Sequence, residues 1–145
     1  MGLDMYLFAT QYASPYFRPE VFSALKPLAA GMPLVDCAPS IEIKTPAAYW
    51  RKANQIHKWF VDNVQDGVDE CQYSYVSQEQ LKALRDLCQK ALDTKDASLL
   101  PPCSGFFFGS TDVDEYYWSD IEDTIKQLDR CLAKPEFEYE YHSSW

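Results

Sequence analysis

The search for chemistry begins at His57, one of 2 histidines in the chain. It lies in the run Tyr49-Trp50-Arg51-Lys52-Ala53-Asn54-Gln55-Ile56-His57-Lys58-Trp59-Phe60-Val61. Wound as a helix at about 100° per residue, this run places Trp50, Asn54 and His57 on one stripe. An imidazole flanked there by an amide and an indole is a candidate general base or ligand-binding group. The plainer alternative is a core-edge histidine bonded to Asn, Tyr or backbone. It is favoured because no second histidine is near and no nucleophile is signposted. Trp59 winds onto the charged side with Arg51, Lys52, Gln55, Lys58 and Asp62. A large ring in that position either packs beneath another segment, for which residues 10–39 are available, or anchors an interface.

The second candidate is Gly105 to Glu115, GFFFGSTDVDE. Its glycines resemble a phosphate loop only superficially, since Gly109-Ser110-Thr111 lacks the lysine that a Walker A motif requires. Asp112 and Asp114, spaced Asp-x-Asp, have oxygen ligands suited to Mg²⁺. The same acids, with Glu115, complement the positive end of a helix dipole, and that ordinary role outweighs metal binding. His57, Asp112 and Asp114 are therefore the candidates for an enzyme or ligand-binding reading, with a pocket formed where Trp50, Asn54 and His57 meet Asp112 or Asp114.

Acidic residues also cluster. Asp112 to Asp123 holds 6 acids and no base, and Glu136 to Glu140 holds 3 more. Tyr116, Tyr117, Trp118, Tyr139 and Tyr141 are interleaved with them. If a helix over 114–132 and a strand over 137–141 are neighbours, they share one anionic face studded with rings. Its expected contacts are Asp112, Asp114, Glu115, Trp118, Glu138 and Glu140. Such a face suits a partner protein with a basic surface, including a groove that normally holds nucleic acid. The bland alternative is a solvated acidic surface that aids solubility. A homo-oligomer joined through Trp59 or the terminal strand is a third reading.

These residues need elements to carry them. Leu3, Met5 and Leu7 alternate with Asp4 and Tyr6, which predicts a half-buried strand. Residues 10–39, with prolines at 15, 19, 27, 33 and 39, predict an irregular segment apart from a short helix over Glu20–Lys26. Ile41-Glu42-Ile43 reads as a brief strand. Thr45-Pro46 reads as a helix start, Thr capping and Pro taking the first helical position, for a helix reaching Val64 with Gly67 as its stop. Cys71, Tyr73 and Tyr75 alternate as a second half-buried strand. Ser77-Gln78-Glu79-Gln80 fits a capping box, opening a helix with Leu81, Leu84, Leu87, Cys88 and Leu92 on one stripe. Leu99-Leu100-Pro101-Pro102 breaks the chain, and Ser104–Ser110 is a buried strand or a tight loop. A third helix from Asp114 to Leu132 aligns Tyr117, Ile121, Ile125, Leu128 and Leu132. Phe137, Tyr139 and Tyr141 close the chain as a strand. Three main helices and about five short strands, without repeats or βαβ regularity, predict a single α+β domain with a mixed or antiparallel sheet covered on one face.

Composition bounds the function. At 145 residues the chain is one domain by default, and 22 acids against 13 bases give a net charge of −9. A field of that sign disfavours direct binding to nucleic acid or to anionic membranes. The 5 cysteines are odd in number and widely spaced, with no CxxC or CxH pair to hold a metal, and Cys88 and Cys131 fall on apolar helix faces. No metal or cofactor is signposted. The opening residues do not read as a signal peptide, and no apolar run is long enough to span a membrane, so a cytoplasmic location is expected.

Four blocks carry a resemblance. The opening Met-Gly-Leu-Asp-Met-Tyr-Leu, the block Tyr49 to Val61, the block Ser104 to Tyr117 and the ending Tyr141-His142-Ser143-Ser144-Trp145 resemble a family of small proteins of unknown function encoded by bacteriophages and prophages. The likeness covers most of residues 1–8 and 40–145, while 10–39 looks variable or inserted. It implies a bacterial host cytoplasm and an accessory phage role, and it brings no catalytic residues with it. By analogy with small acidic phage proteins, it implies binding to a host or phage protein, including inhibition of a host defence or nucleic-acid-handling protein.

Overall fold

The alternation that begins at Leu3 does form a strand, and the computed structural model, which describes residues 2–145 and leaves Met1 of the opening block outside it, extends that strand (β1) over Asp4–Ala13. A loop carries the short helix α1 (Pro19–Leu25) and a 3-10 turn at Lys26–Ala29. Strand β2 (Ile41–Arg51), helix α2 (Asn54–Val64), strand β3 (Ser74–Val76) and helix α3 (Gln78–Thr94) follow. Helix α4 (Glu115–Leu132) and strand β4 (Glu138–Ser144) complete an α+β fold. The four strands form one sheet in the order β2-β1-β4-β3, antiparallel throughout. Of the two readings of Ser104–Ser110, buried strand or tight loop, the loop is the one formed, which leaves four strands, and residues 10–13, expected to be irregular, belong to β1.

One local signal gave way to tertiary pairing. Thr45-Pro46 does not start a helix, because β2 runs straight through it, paired with β1 from Asp4↔Arg51 to Ala13↔Ile41. The missing proline N–H costs little there. β2 is an edge strand, and the register slips between Leu7 and Phe8, opposite Ala48 and Pro46. Tyr49 and Trp50 also favour a pleated surface. Tyr49 therefore lies on the strand and is 43% exposed. The helix begins at Asn54, after Lys52 turns the chain with φ 59°.

The inner sheet face and the helices bury a common core. Met5, Leu7, Ala48, Trp50, Val76, Tyr139 and Tyr141 point inward from the strands. Ile56 and Phe60 of α2, Leu81, Leu84 and Cys88 of α3, and Tyr117, Ile121, Ile125, Leu128 and Cys131 of α4 meet them. The stripes anticipated on α3 and α4 are these faces, with Leu87, Leu92 and Leu132 at their margins. Phe60 stacks on Tyr141 at 4.0 Å and 8°. The capping box at Ser77 is formed in both directions, Ser77 accepting from the Gln80 N–H and Gln80 accepting from the Ser77 N–H. The strand read over Cys71–Tyr75 forms only at Ser74–Val76, since Cys71 turns the chain with φ 55°, and its sides are reversed: Val76 faces inward while Tyr73 and Tyr75 are 54% and 63% exposed. Burial pushes the Cys88 and Cys131 thiols up to about 12 and about 11, so both remain protonated packing groups. Among the described residues no helix is long and apolar enough to cross a membrane.

The Tyr139 hydroxyl ties β4 to the end of α4 by donating to the carbonyls of Cys131 (2.9 Å) and Lys134 (3.0 Å). Tyr139→Phe is expected to lower the unfolding free energy by about 1 kcal/mol, since the ring still fills its site and the Cys131 and Lys134 carbonyls lose the hydroxyl but keep the N–H groups of Lys134 and Phe137. A lower urea midpoint with an unchanged slope checks this.

Candidate functional site

The loop from Pro101 to Asp114 is irregular, so its backbone polar groups need partners from elsewhere. Asn54, 1% exposed at the start of α2, supplies them. Its amide nitrogen donates to the carbonyls of Phe108 (3.1 Å) and Ser110 (2.9 Å), and its oxygen accepts from the Cys103 N–H (2.9 Å). The Leu3 N–H donates to the Phe107 carbonyl at 3.2 Å, so β1 holds the loop from the other side. Phe107, at φ 65°, and Gly109, at φ 89°, give the backbone its left-handed turns. The loop tip leaves Phe106 80% exposed and tucks Phe108 inside.

Phe108 meets the His57 ring edge-on at 5.0 Å. His57 is buried, and both of its nitrogens are taken: Nδ1 lies 2.7 Å from the Tyr141 hydroxyl and Nε2 2.8 Å from Asp69 Oδ2. Burial pushes the Tyr141 hydroxyl well above its ordinary value, so it keeps its proton and donates to Nδ1. The Nε2–H then points at the Asp69 carboxylate. Asp69 also accepts from the Trp145 indole at 3.1 Å. His57 borders a cleft of about 460 Å³ with Asp69, Cys103, Phe106, Phe108 and Trp145. In this arrangement no imidazole nitrogen is free to take a proton from a ligand.

A second cleft of about 320 Å³ opens on the other side of Asn54. Arg51 and Lys52 line it together with Asp112, Asp114 and Asp120. Asp114 caps α4, its Oδ1 accepting from the N–H groups of Tyr116 (3.0 Å) and Tyr117 (3.1 Å). The capping role expected of these acids is thus the one Asp114 performs. Burial pushes the Asp120 carboxyl up to about 6, against a lowering hydrogen bond from Gln55, and the nearby Asp123 and Asp114 raise it further. Among the described residues no group of three or more His, Cys, Asp or Glu side chains is gathered closely enough to hold a metal ion.

No protein-family model, curated protein or solved structure matches the chain. The geometry alone therefore distributes the residues singled out from sequence. Trp50, Asn54 and His57 do not share a helical stripe. Trp50 belongs to β2, is buried, and donates from its indole to Thr124 Oγ1 at 2.9 Å. Asn54 lines the cleft with Asp112 and Asp114, whereas His57 lines the other with Asp69. Trp59 is a core residue, set edge-on against Phe60 at 5.4 Å and bordered by Leu87, Leu99 and Pro101; residues 10–39 do not supply its cover. Trp118 is half-buried beneath the Lys95 ammonium, 4.7 Å from its ring centroid.

The anticipated anionic face also divides. Asp112, Asp114, Glu115 and Trp118 sit at the start of α4, which packs on the inner side of the sheet. Glu138 and Glu140 alternate with the inward Tyr139 and Tyr141, so they point from the opposite side. That outer side is a row of rings. Tyr49 lies 5.1 Å from Tyr6, Tyr6 stacks on Phe8 at 5.5 Å, and Phe8 lies 6.1 Å from Tyr73. Tyr73 in turn stacks on His142 at 4.1 Å and 3°. Sequence reasoning missed Asp69, which sits in a turn with no periodic signal. It also missed the ring row, although Tyr6 and Phe8 are the odd-face partners of Met5 and Leu7.

Removing the Asn54 side chain frees three backbone groups of the loop. Asn54→Ala is expected to cost about 2–4 kcal/mol, read as a lower denaturation midpoint together with faster amide exchange at Cys103. Asp120 gives a pH-dependent prediction. The folded state holds its proton more tightly than the unfolded chain, whose carboxyl titrates near 4. Stability contributed by this group therefore falls as pH rises from about 4 through about 6. Asp120→Asn should match the parent near pH 4 and exceed it in urea midpoint at pH 7.

Proposed function

We propose that the chain is a binding protein rather than an enzyme, and that its open sheet face takes a basic segment of a protein partner. The observation that carries this reading is Lys44. Its ammonium lies 4.5 Å from the Tyr73 ring centroid and 5.8 Å from that of Phe8, and it reaches Glu140 at 2.6 Å. The face thus already seats one cation between rings and a carboxylate, the combination that attracts Lys and Arg side chains. The Glu140 hydrogen bond raises the Lys44 pKa, so the seated group is charged.

Charge on the face favours further cations. By strand alternation Asp4, Glu42, Glu138 and Glu140 share it with Lys44 and Arg51, an excess of acids set in a chain whose net charge is −9. Tyr12, Tyr49, Tyr73 and Tyr75 are 50%, 43%, 54% and 63% exposed. Tyrosine offers large contact area with little rotamer entropy to lose, which suits it to interfaces. In the setting that the phage resemblance implies, the partner is a host or phage protein whose basic groove ordinarily takes phosphates, and occupation of that groove inhibits it.

The test is an NMR titration of the intact chain with an Arg- and Lys-rich peptide. The expected perturbations map to Tyr6, Phe8, Tyr73 and His142. The double variant Tyr73→Ser, Tyr75→Ser, which changes only exposed rings, should weaken binding about tenfold. Asp112→Asn with Asp114→Asn, which preserves the cap of α4, should leave it unchanged. Perturbations confined to α4, or equal binding by the serine variant, would overturn the assignment.

A further inference from the structure

We infer that the cleft between the β2–α2 junction and the start of α4 binds a small zwitterion, a molecule carrying an ammonium group and a carboxylate or phosphate group a few bonds apart. Arg51, at the end of β2, borders both this cleft and the ring face, but none of the rings of that face lines the cleft. Its volume of about 320 Å³ falls within the range of small-molecule pockets.

The cleft carries both signs, and its charges are not paired with one another. Arg51 and Lys52 line it together with Asp112, Asp114 and Asp120, yet among the described residues none of these five makes an ion pair. Flexible side chains of opposite sign around one small cavity ordinarily close on each other unless the scaffold directs them elsewhere. Lys52 is so directed. Its backbone is fixed at φ 59° by two hydrogen bonds, its N–H donating to Leu3 (2.8 Å) and its carbonyl accepting from Asn54 (2.9 Å). The stem then runs past two glycines: a Cβ on Gly2 would come within 3.2 Å of Lys52 Cε, and one on Gly109 within 3.1 Å of Lys52 Cβ. Both positions leave the room that the lysine occupies.

Gln55 lines the cleft although it is 3% exposed, and its amide nitrogen bridges the Asp120 carboxylate and the Tyr117 carbonyl (3.5 Å), which fixes Asp120 at the cleft. Asp120 is partly desolvated and has no cation beside it, as its raised pKa also reflects. A simple anion placed near Lys52 would face three carboxylates, and a simple cation near Asp120 would face Arg51 and Lys52. A dipolar molecule offers a matching group to the bases and to the acids alike. The exposed Tyr116 ring, also lining the cleft, gives the remainder of such a ligand an aromatic surface.

The experiment titrates the intact chain with free amino acids and with phosphoethanolamine, following amide shifts by NMR and the thermal midpoint by fluorimetry. N-acetyl amino acids and amino acid amides, each keeping one charge, serve as controls. The expected result is a raised midpoint and perturbations at Lys52, Gln55, Ser110 and Asp120 for at least one zwitterion at millimolar concentration. Blocking either end of it should weaken binding about tenfold or more. Lys52→Met and Asp120→Asn should each weaken it similarly while circular dichroism stays unchanged, and a response to phosphoethanolamine but not to amino acids assigns the anionic group as phosphate. No response to any zwitterion, equal binding by the singly charged controls, or perturbations away from this cleft would overturn the proposal.

Discussion

The three hydrogen bonds of Asn54 are the interaction on which the rest depends. A loop of about a dozen residues without secondary structure has to satisfy its backbone groups or stay in solvent. One amide side chain, buried at the first turn of α2, fixes it at Cys103, Phe108 and Ser110. Because the side chain is buried, each of these bonds replaces an otherwise unsatisfied group, which makes its loss more costly than a surface bond of equal length. Both clefts take one wall from the loop so held. Phe108 also closes a circuit in which it touches His57, His57 pairs with Asp69, Asp69 accepts from Trp145, and Trp145 returns to Phe108 at 6.2 Å. Segments far apart in sequence, from Leu3 and His57 to Phe108 and Trp145, meet in this circuit and its surroundings.

Most elements were legible because their signals were local. The Ser77–Gln80 capping box, the apolar stripes of α3 and α4 and the alternation of β4 need only neighbours within a few residues, and each element formed where its pattern indicated. Thr45-Pro46 misled because its local preference for a helix start competes with pairing to β1 about forty residues away. That pairing is invisible to a window of a few residues. Placing Pro46 on the edge and beside a register slip removes the usual objection to proline in a strand. The Phe106–Phe108 run was equally ambiguous, since three adjacent aromatics carry no period by which a strand and a loop can be separated.

The candidate site was legible in its parts and not in its assembly. Asn54, His57, Asp112 and Asp114 were all found by residue type, and all border clefts. Their grouping depended on the helix start, and shifting that start from Pro46 to Asn54 moved Trp50 into the sheet and separated His57 from the acids. The acidic face failed differently. Glu138 and Glu140 were correctly read as the outward side of β4, but which side of the sheet α4 covers is a topological fact with no imprint on either segment. Once α4 buries Ile121, Ile125 and Leu128 against the inner face, the two acidic sets cannot meet.

The placement of the unpaired charges bears on function rather than on stability. An exposed ion pair contributes about 0.2–1 kcal/mol, so a chain loses little by leaving Arg51 and Lys52 without carboxylate partners. In a molecule with 22 acids and 13 bases, partners for a cation are abundant, and Lys58, Lys82 and Arg85 each find one. Arg51 and Lys52 belong to the larger group of bases that, among the described residues, make no ion pair; what sets these two apart is that they are adjacent in sequence, lie at a backbone turn and line one cleft with Asp112, Asp114 and Asp120. Leaving both signs unpaired in one cleft keeps them available to a third body, and it costs the fold almost nothing.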